Sequence, residues 1–532
     1  MTDDVDFPKQ TAIFLLMYCL VFLSFFFILG ESILINGASV VYVVSLAAVL
    51  GAALWFTTPE MAAHVLVLSW FQLIFFFPRL FFYLAFPPEG IAFVQLAPLT
   101  ANEVQNGLNF LLWGTVALIF GFWAGSQVLR GGPNKAAANI PRYILPLGPI
   151  VIYWVLSLLA AYYVLVVLGV SIFSTPDKWG SRMGWLMRVF DTDVALLLLV
   201  VWGLLQPSRS LAIRLTVLVI IVGWLLITIA MGARGGPMRM LIVLGLVTMA
   251  ISEVPRLSWR RLLAVISVFI GLAIVVFPIS TVVRATLGGV ENAANQVMSD
   301  WTRNHFRPEV EATATERASS PSIRSQLFDN EFLVQGARSL LPITSRLGIV
   351  DYPLMIVNRP GDSDIFGHYL SIEYALKNYA NNMVPGELFP DYDVMTSRVF
   401  TMAYRGATET HIRTHFLSEP WTAWGYAWIK GGFWGGLAIL SILAFLSQAG
   451  YRLATRISGP TLAPYVASCW LFTVTLNGPL QLFGIDHWLT VASHFFIALA
   501  MAVGLAVATS AVLSKAGVTN RFWVIREAES WR

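Results

Sequence analysis

Residues 487–511, HWLTVASHFFIALAMAVGLAVATSA, run for twenty-five positions without one Asp, Glu, Lys or Arg. About 20 apolar residues at 1.5 Å per helical residue match the ~30 Å hydrocarbon core of a bilayer, where a single segment satisfies its backbone polar groups only as a helix. Comparable runs recur near 11–30, 34–56, 61–86, 107–128, 146–172, 190–206, 211–231, 237–253, 261–283, 431–449 and 461–482. The sequence therefore predicts an all-α polytopic membrane protein with about twelve transmembrane helices. Composition points the same way: 57% of the 532 residues are apolar and 12% charged, too few polar groups to cover a soluble core of this size.

The net charge of +4 is a topology signal rather than a nucleic-acid footprint. Arg130, Lys135 and Arg142 share one loop between apolar runs, followed by Arg209 and Arg214, by Arg256, Arg260 and Arg261, by Arg452 and Arg456, and by Lys515, Arg521 and Arg526. Threading the chain through twelve spans puts all these loops on one side, the cytoplasm by the positive-inside rule. Both termini then lie inside, and Glu89, Glu103 and the segment from Arg284 to Lys430 lie outside. The acidic N-terminus and the loop carrying Lys178, Arg182 and Arg188 run against the trend. Thr11–Gly30 is long enough to span and has no small-residue cleavage pattern, so it reads as a retained helix. Cys19 and Cys469 both lie in apolar runs and support neither a disulfide framework nor a thiolate metal site. Three regions follow: spans one to nine over 1–283, an external segment over 284–430, and three spans with a tail over 431–532.

The external segment is too long to be a mere connection. Its pieces SQLFDNEFLVQGARSLLPI, LGIVDYPLMIV and FGHYLSIEYALKNYA suit short amphipathic helices on the bilayer surface, a cap over the helix ends. The chain has no Gly-rich nucleotide loop, which disfavours ATP-driven transport, and no repeat of fixed period.

Charge inside hydrocarbon is costly, which marks Arg79 in LIFFFPRLFFYLAF: it either snorkels to the headgroups or binds an anionic group. Arg234 in MGARGGPMRM sits at a break where backbone N–H groups and the next helix N-terminus favour an anion, unless the break is an ordinary hairpin. Arg284 in ISTVVRATL closes the ninth span, as an anion ligand or a plain interfacial arginine. Three guanidinium groups at one membrane face would suit a lipid pyrophosphate. Arg346, Arg359, Arg398, Arg405 and Arg413 add more positive charge in the external segment.

The stretch ETHIRTHFLSEPW places His411 and His415 four residues apart, on one face of a helix. Zinc would need a third ligand from Glu409, Glu419, Asp391 or Asp393, and the metalloprotease pattern is lacking. A general base is the better use of an imidazole that titrates near neutrality; hydrogen bonding within the cap is the plainer alternative. Glu387, Asp391 and Asp393 in PGELFPDYD are rival bases, or turn formers. His64, His368 and His494 read as packing or local hydrogen-bonding residues. Trp421, Trp424, Tyr426 and Trp428 form an aromatic belt or stack on sugars.

The order of these features resembles the bacterial O-antigen polymerases, the oligosaccharide repeat unit polymerases of surface polysaccharide assembly. MGARGGPMRMLIVLGL is similar to the family's arginine turn entering a helix, and Arg284 to its arginine closing the next span. LLPITSRLGIVDYPLMIVN and FGHYLSIEYALKNYANNMVPGELFP resemble its Arg-containing amphipathic helix and Pro-rich loop. EPWTAWGYAWIKGGFWGGLAIL is similar to its closing pattern, an aromatic helix that meets Gly-x-x-Gly and re-enters the membrane. Gly386 follows Pro385 where the family often has a Pro-Arg pair, which moves that arginine's role to Arg398 or Arg405.

The resemblance implies a GT-C-type membrane glycosyltransferase of the bacterial inner membrane. It would act on undecaprenyl-pyrophosphate-linked oligosaccharides at the periplasmic face, with no nucleotide, metal or other cofactor. A chain-length regulator and a flippase are the implied partners. Arg79, Arg234, Arg284 and Arg346 would hold the pyrophosphate, Arg405 and Arg413 would complete the clamp, and His411 or His415 would be the base. Two other expectations stand beside it: an O-antigen ligase of the same fold, and a transporter or flippase of a lipid-linked anion using the same arginines.

Overall fold

A computed structural model describes residues 7–29, 36–77, 79–80, 99–128, 143–167, 186, 189–205, 215, 219–224, 350–359, 361, 363–384, 388–392, 394, 396–405, 408–410, 422–480, 484–518 and 526–527. These residues are helical and turn structure, apart from a two-residue antiparallel pairing of Tyr143–Ile144 with Arg526–Glu527. The chain is an all-α membrane protein. Among the described residues five helices are long and apolar enough to cross a bilayer, within α1 (Phe7–Leu29), α2 (Gly37–Trp55), α4 (Ala101–Gln127), α11 (Thr422–Ile457) and α13 (Ile485–Lys515). Four shorter apolar stretches lie in α3 (Pro59–Phe75), α5 (Leu147–Tyr162), α6 (Thr192–Leu205) and α12 (Gly459–Trp470), which continues as a π-helical stretch over Leu471–Leu480. The expected spans at 237–253 and 261–283 lie outside the described residues, as does most of that at 211–231.

Packing centres on α4 and α11. Gly114, Gly121 and Gly125 fall on one face of α4, and there α11 comes so close that a Cβ would not fit. At Gly114 it would stand 2.5 Å from Trp424 Cδ1 and 2.9 Å from Leu440 Cδ1, at Gly121 2.8 Å from Ala444 Cβ, and at Gly125 2.7 Å from the Phe445 carbonyl oxygen. Where lipid removes the hydrophobic drive between helices, small residues that admit backbone contact supply van der Waals attraction instead. Leu440, Ala444 and Gln448 meet successive positions down α4, so this part of α11 runs parallel to it.

The first ten residues of α11 do not continue that line. Gly432 has φ 60° and ψ −148°, a left-handed conformation open to glycine and closed to most side chains. The helix folds back there. A Cβ on Gly431 would lie 2.6 Å from the Gly436 nitrogen, one on Gly436 3.1 Å from the Ala427 carbonyl, and Trp424 and Leu440 touch the same glycine of α4. Residues 422–431 thus form an aromatic leg laid against the span that follows. The sequence reading begins a span at residue 431; the helix begins at Thr422 and breaks at Gly432.

Segment 284–430 supplies α7 (Asp351–Asn358), α8 (Ser363–Tyr369), α9 (Ile372–Met383) and α10 (Thr396–Arg405), a cap in which α7 packs on α4 and α11, and α9 and α10 pack on α13. Away from the cap, Ile144 pairs with Arg526, and Arg452 Nη1 of α11 donates to the Ser126 carbonyl of α4.

Candidate functional site

Among the described residues, three carboxylates tie the cap to the bundle. The first is Arg79 with Asp351, at the start of α7. Arg79 Nε donates to both carboxylate oxygens, at 3.2 and 3.0 Å, and Nη2 donates to Oδ2 at 2.9 Å, with both residues buried. Neither sequence alternative for Arg79, snorkelling or a ligand seat, describes this geometry, in which the guanidinium is matched by an acid from the cap. Asp351 was not singled out from the sequence, though an intramembrane arginine calls for a partner and an acid stood out in LGIVDYPLMIV.

The second tie is Glu103. Its carboxylate accepts from the Thr100 backbone at 2.7 Å, closing a capping box at the start of α4, and from Arg359 Nε at 2.8 Å and Nη2 at 3.1 Å. Asn358 adds a bond from Nδ2 to the Glu103 carbonyl at 2.7 Å. One acid therefore starts a helix and docks α7 onto it.

The third tie is Asp486, in the first turn of α13, fully buried and missed by the sequence reading. It accepts from the Thr396 backbone nitrogen at 3.1 Å and from the Thr396 hydroxyl, so a carboxylate from α13 caps the N-terminus of α10. Gly484 makes room: its φ is 149°, and a Cβ there would overlap the Thr396 side chain.

Aromatic contacts join the cap helices to one another. Tyr352 meets Phe400 at 5.2 Å, Phe400 stacks on Tyr404 at 4.6 Å, and Phe366 meets Tyr404 at 5.8 Å. Burial raises the Tyr404 hydroxyl pKa, a shift opposed in part by a hydrogen bond with the Gly361 backbone. On α9 a hydrogen bond from Lys377 holds the exposed Glu373 carboxyl below its usual range.

Of the candidate catalytic and binding residues, Arg405 ends α10, the helix that Asp486 caps; its side chain, like that of Arg398, is not described. Arg234, Arg284, Arg346, His411, Arg413, His415 and Trp421 lie outside the described residues, as do Glu387 and Asp393. Segment 411–421 is bracketed by exposed Thr410 and by buried Thr422, whose φ of 61° is strained for a β-branched residue. Trp424 is buried, stacked on Phe71 at 6.2 Å and against Phe76 at 5.3 Å, and Tyr426 is buried as well. Both rings pack within the protein, which is neither the belt nor the sugar platform that the sequence offered. Asp391 is exposed in a turn. His368 lies edge-on to Tyr369 and Tyr374, and His64 packs against Phe122 and Tyr451. Among the described residues no three His, Cys, Asp or Glu side chains gather as a metal site would need.

These features define a multi-helix membrane protein with a cap held to its helices by carboxylates. No family model, no curated protein and no solved structure matches the chain.

Proposed function

We propose that the chain polymerises undecaprenyl-pyrophosphate-linked oligosaccharides at the periplasmic face of a bacterial inner membrane. In this proposal it is a GT-C-type glycosyltransferase of about twelve spans, with cytoplasmic termini and a periplasmic cap. A hydroxyl on a fresh repeat unit attacks the anomeric carbon of the growing chain. The bond from that carbon to the pyrophosphate oxygen breaks, undecaprenyl pyrophosphate leaves with the electron pair, and the hydroxyl proton passes to a base. Arginines stabilise the charge that builds on the leaving group.

The order of arginine-bearing motifs, closing on an aromatic helix that turns back at Gly432, carries this proposal. Arg234, Arg284 and Arg346 serve the donor pyrophosphate, Arg405 and Arg413 complete the clamp, and His411 or His415 is the base. Arg79 and Arg359 are each bridged to a carboxylate, so their part is to hold the cap in place.

The test is a gel of surface polysaccharide from cells lacking the native gene and carrying wild type, Arg234→Ala, Arg284→Ala or His415→Ala at matched expression. A ladder with wild type and a single-repeat band with either arginine variant is the expected result. Single repeats stranded on the cytoplasmic face after deletion would replace the polymerase with a transporter. Full-length chains left unattached to their lipid acceptor would replace it with a ligase.

A further inference from the structure

Helix α9 has three different sides. Tyr374, Ala375 and Asn378 face inward and are buried. Asn378 and Asn381 donate to the Tyr392 and Phe389 carbonyls, each at 2.7 Å, and so fold the following loop onto a second, polar side, beside which Glu373 and Lys377 pair at 2.6 Å. The third side carries Ile372 and Leu376, 71% and 52% exposed, with Tyr379 and Met383, both half-buried, further along the same stripe. Two sides are thus accounted for, one by protein and one by polar groups.

The position of α9 on α13 indicates what meets the third. The hydroxyls of Tyr379 and Ser493 hydrogen-bond at 2.8 Å. Ser493 shares its helical face with Ala500, Gly504, Val507 and Ala511, all of them exposed. In a helix apolar enough to cross a bilayer, that is the face turned to lipid. Ser493 lies about 9 Å along the axis, at 1.5 Å per residue, from His487, where the charge-free part of α13 begins. The cap helix therefore occupies the place that lipid takes further along the same face.

We propose that α9 lies in the bilayer interface on the cap side, with Ile372, Leu376 and Met383 among the upper acyl chains and Glu373 and Lys377 at the headgroups. A helix in this position buries its apolar face ~5–10 Å into the headgroup and acyl boundary. The tie from Asp486 to α10 and the aromatic seam then hold the cap at headgroup depth whatever reaction it performs.

The test uses the full chain in phosphatidylcholine nanodiscs, with a nitroxide at Leu376→Cys, at Glu373→Cys, or at Val507→Cys as the lipid reference. Cys19 and Cys469 are buried and stay unlabelled. The label at 376 should collide several-fold more with oxygen than with a water-soluble nickel chelate, as at 507, and the label at 373 should show the reverse. Equal nickel access at 376 and 373 would overturn the proposal in favour of a water-facing helix. A label at 376 hidden from both reagents would overturn it in favour of a protein partner or a second copy.

Discussion

Arg79 and Asp351, 272 positions apart, meet as a two-toothed ion pair inside the protein. The pair joins an arginine beyond α3 to the first cap helix. Desolvation offsets most of the attraction in such a pair, but a partner left alone has nothing to balance its charge. Asp351→Ala should therefore destabilise the protein by about 3–5 kcal/mol, and Arg79→Met with Asp351→Leu should regain most of that. Thermal unfolding in detergent reads both. If Arg79 serves only as a tie, the double variant also keeps its activity; loss of activity with recovered stability would make Arg79 a ligand residue.

The Asp486 tie predicts a graded series. Asp486→Asn keeps an acceptor for Thr396 and should cost about 1 kcal/mol, while Asp486→Leu leaves buried donors unmet and should cost about 1–3 kcal/mol or more. Gly484→Ala adds overlap with Thr396 and unfavourable φ, and should be the worst of the three. Limited proteolysis should show cleavage around α10 appearing in that order.

Glycines in the spans should respond to alanine with opposite signs. Gly125→Ala forces a Cβ against the Phe445 carbonyl and should lower stability and yield. Gly504→Ala meets nothing within 4 Å and should raise helix stability by about 0.5–1 kcal/mol. Unfolding midpoints measured side by side decide this.

His64 is fully buried, and neither ring nitrogen has a hydrogen-bond partner among the described residues. Such groups destabilise a fold by about 1–3 kcal/mol. His64→Phe should keep the contacts with Phe122 and Tyr451 and leave stability unchanged or higher. A fall in activity at unchanged or higher stability would mark the imidazole as a functional group.

By itself the sequence determined the class of the molecule and the location of the five long apolar helices. A charge-free run of twenty residues has one low-energy state in a bilayer. The amphipathic pieces around 351–380 also read as helices from their own pattern, because local periodicity sets which face is apolar. Only tertiary structure decided the partners. Arg79 could be marked as costly but not assigned to Asp351, since a pair 272 residues apart leaves no local trace. Asp486 went unmarked in GIDHW, because its hold on Thr396 comes from where α13 and α10 are placed. Trp424 looked like an interfacial aromatic until the fold at Gly432 turned its helix inward onto α4. Spans follow from the solvent that each segment meets; ties follow from which segments meet one another.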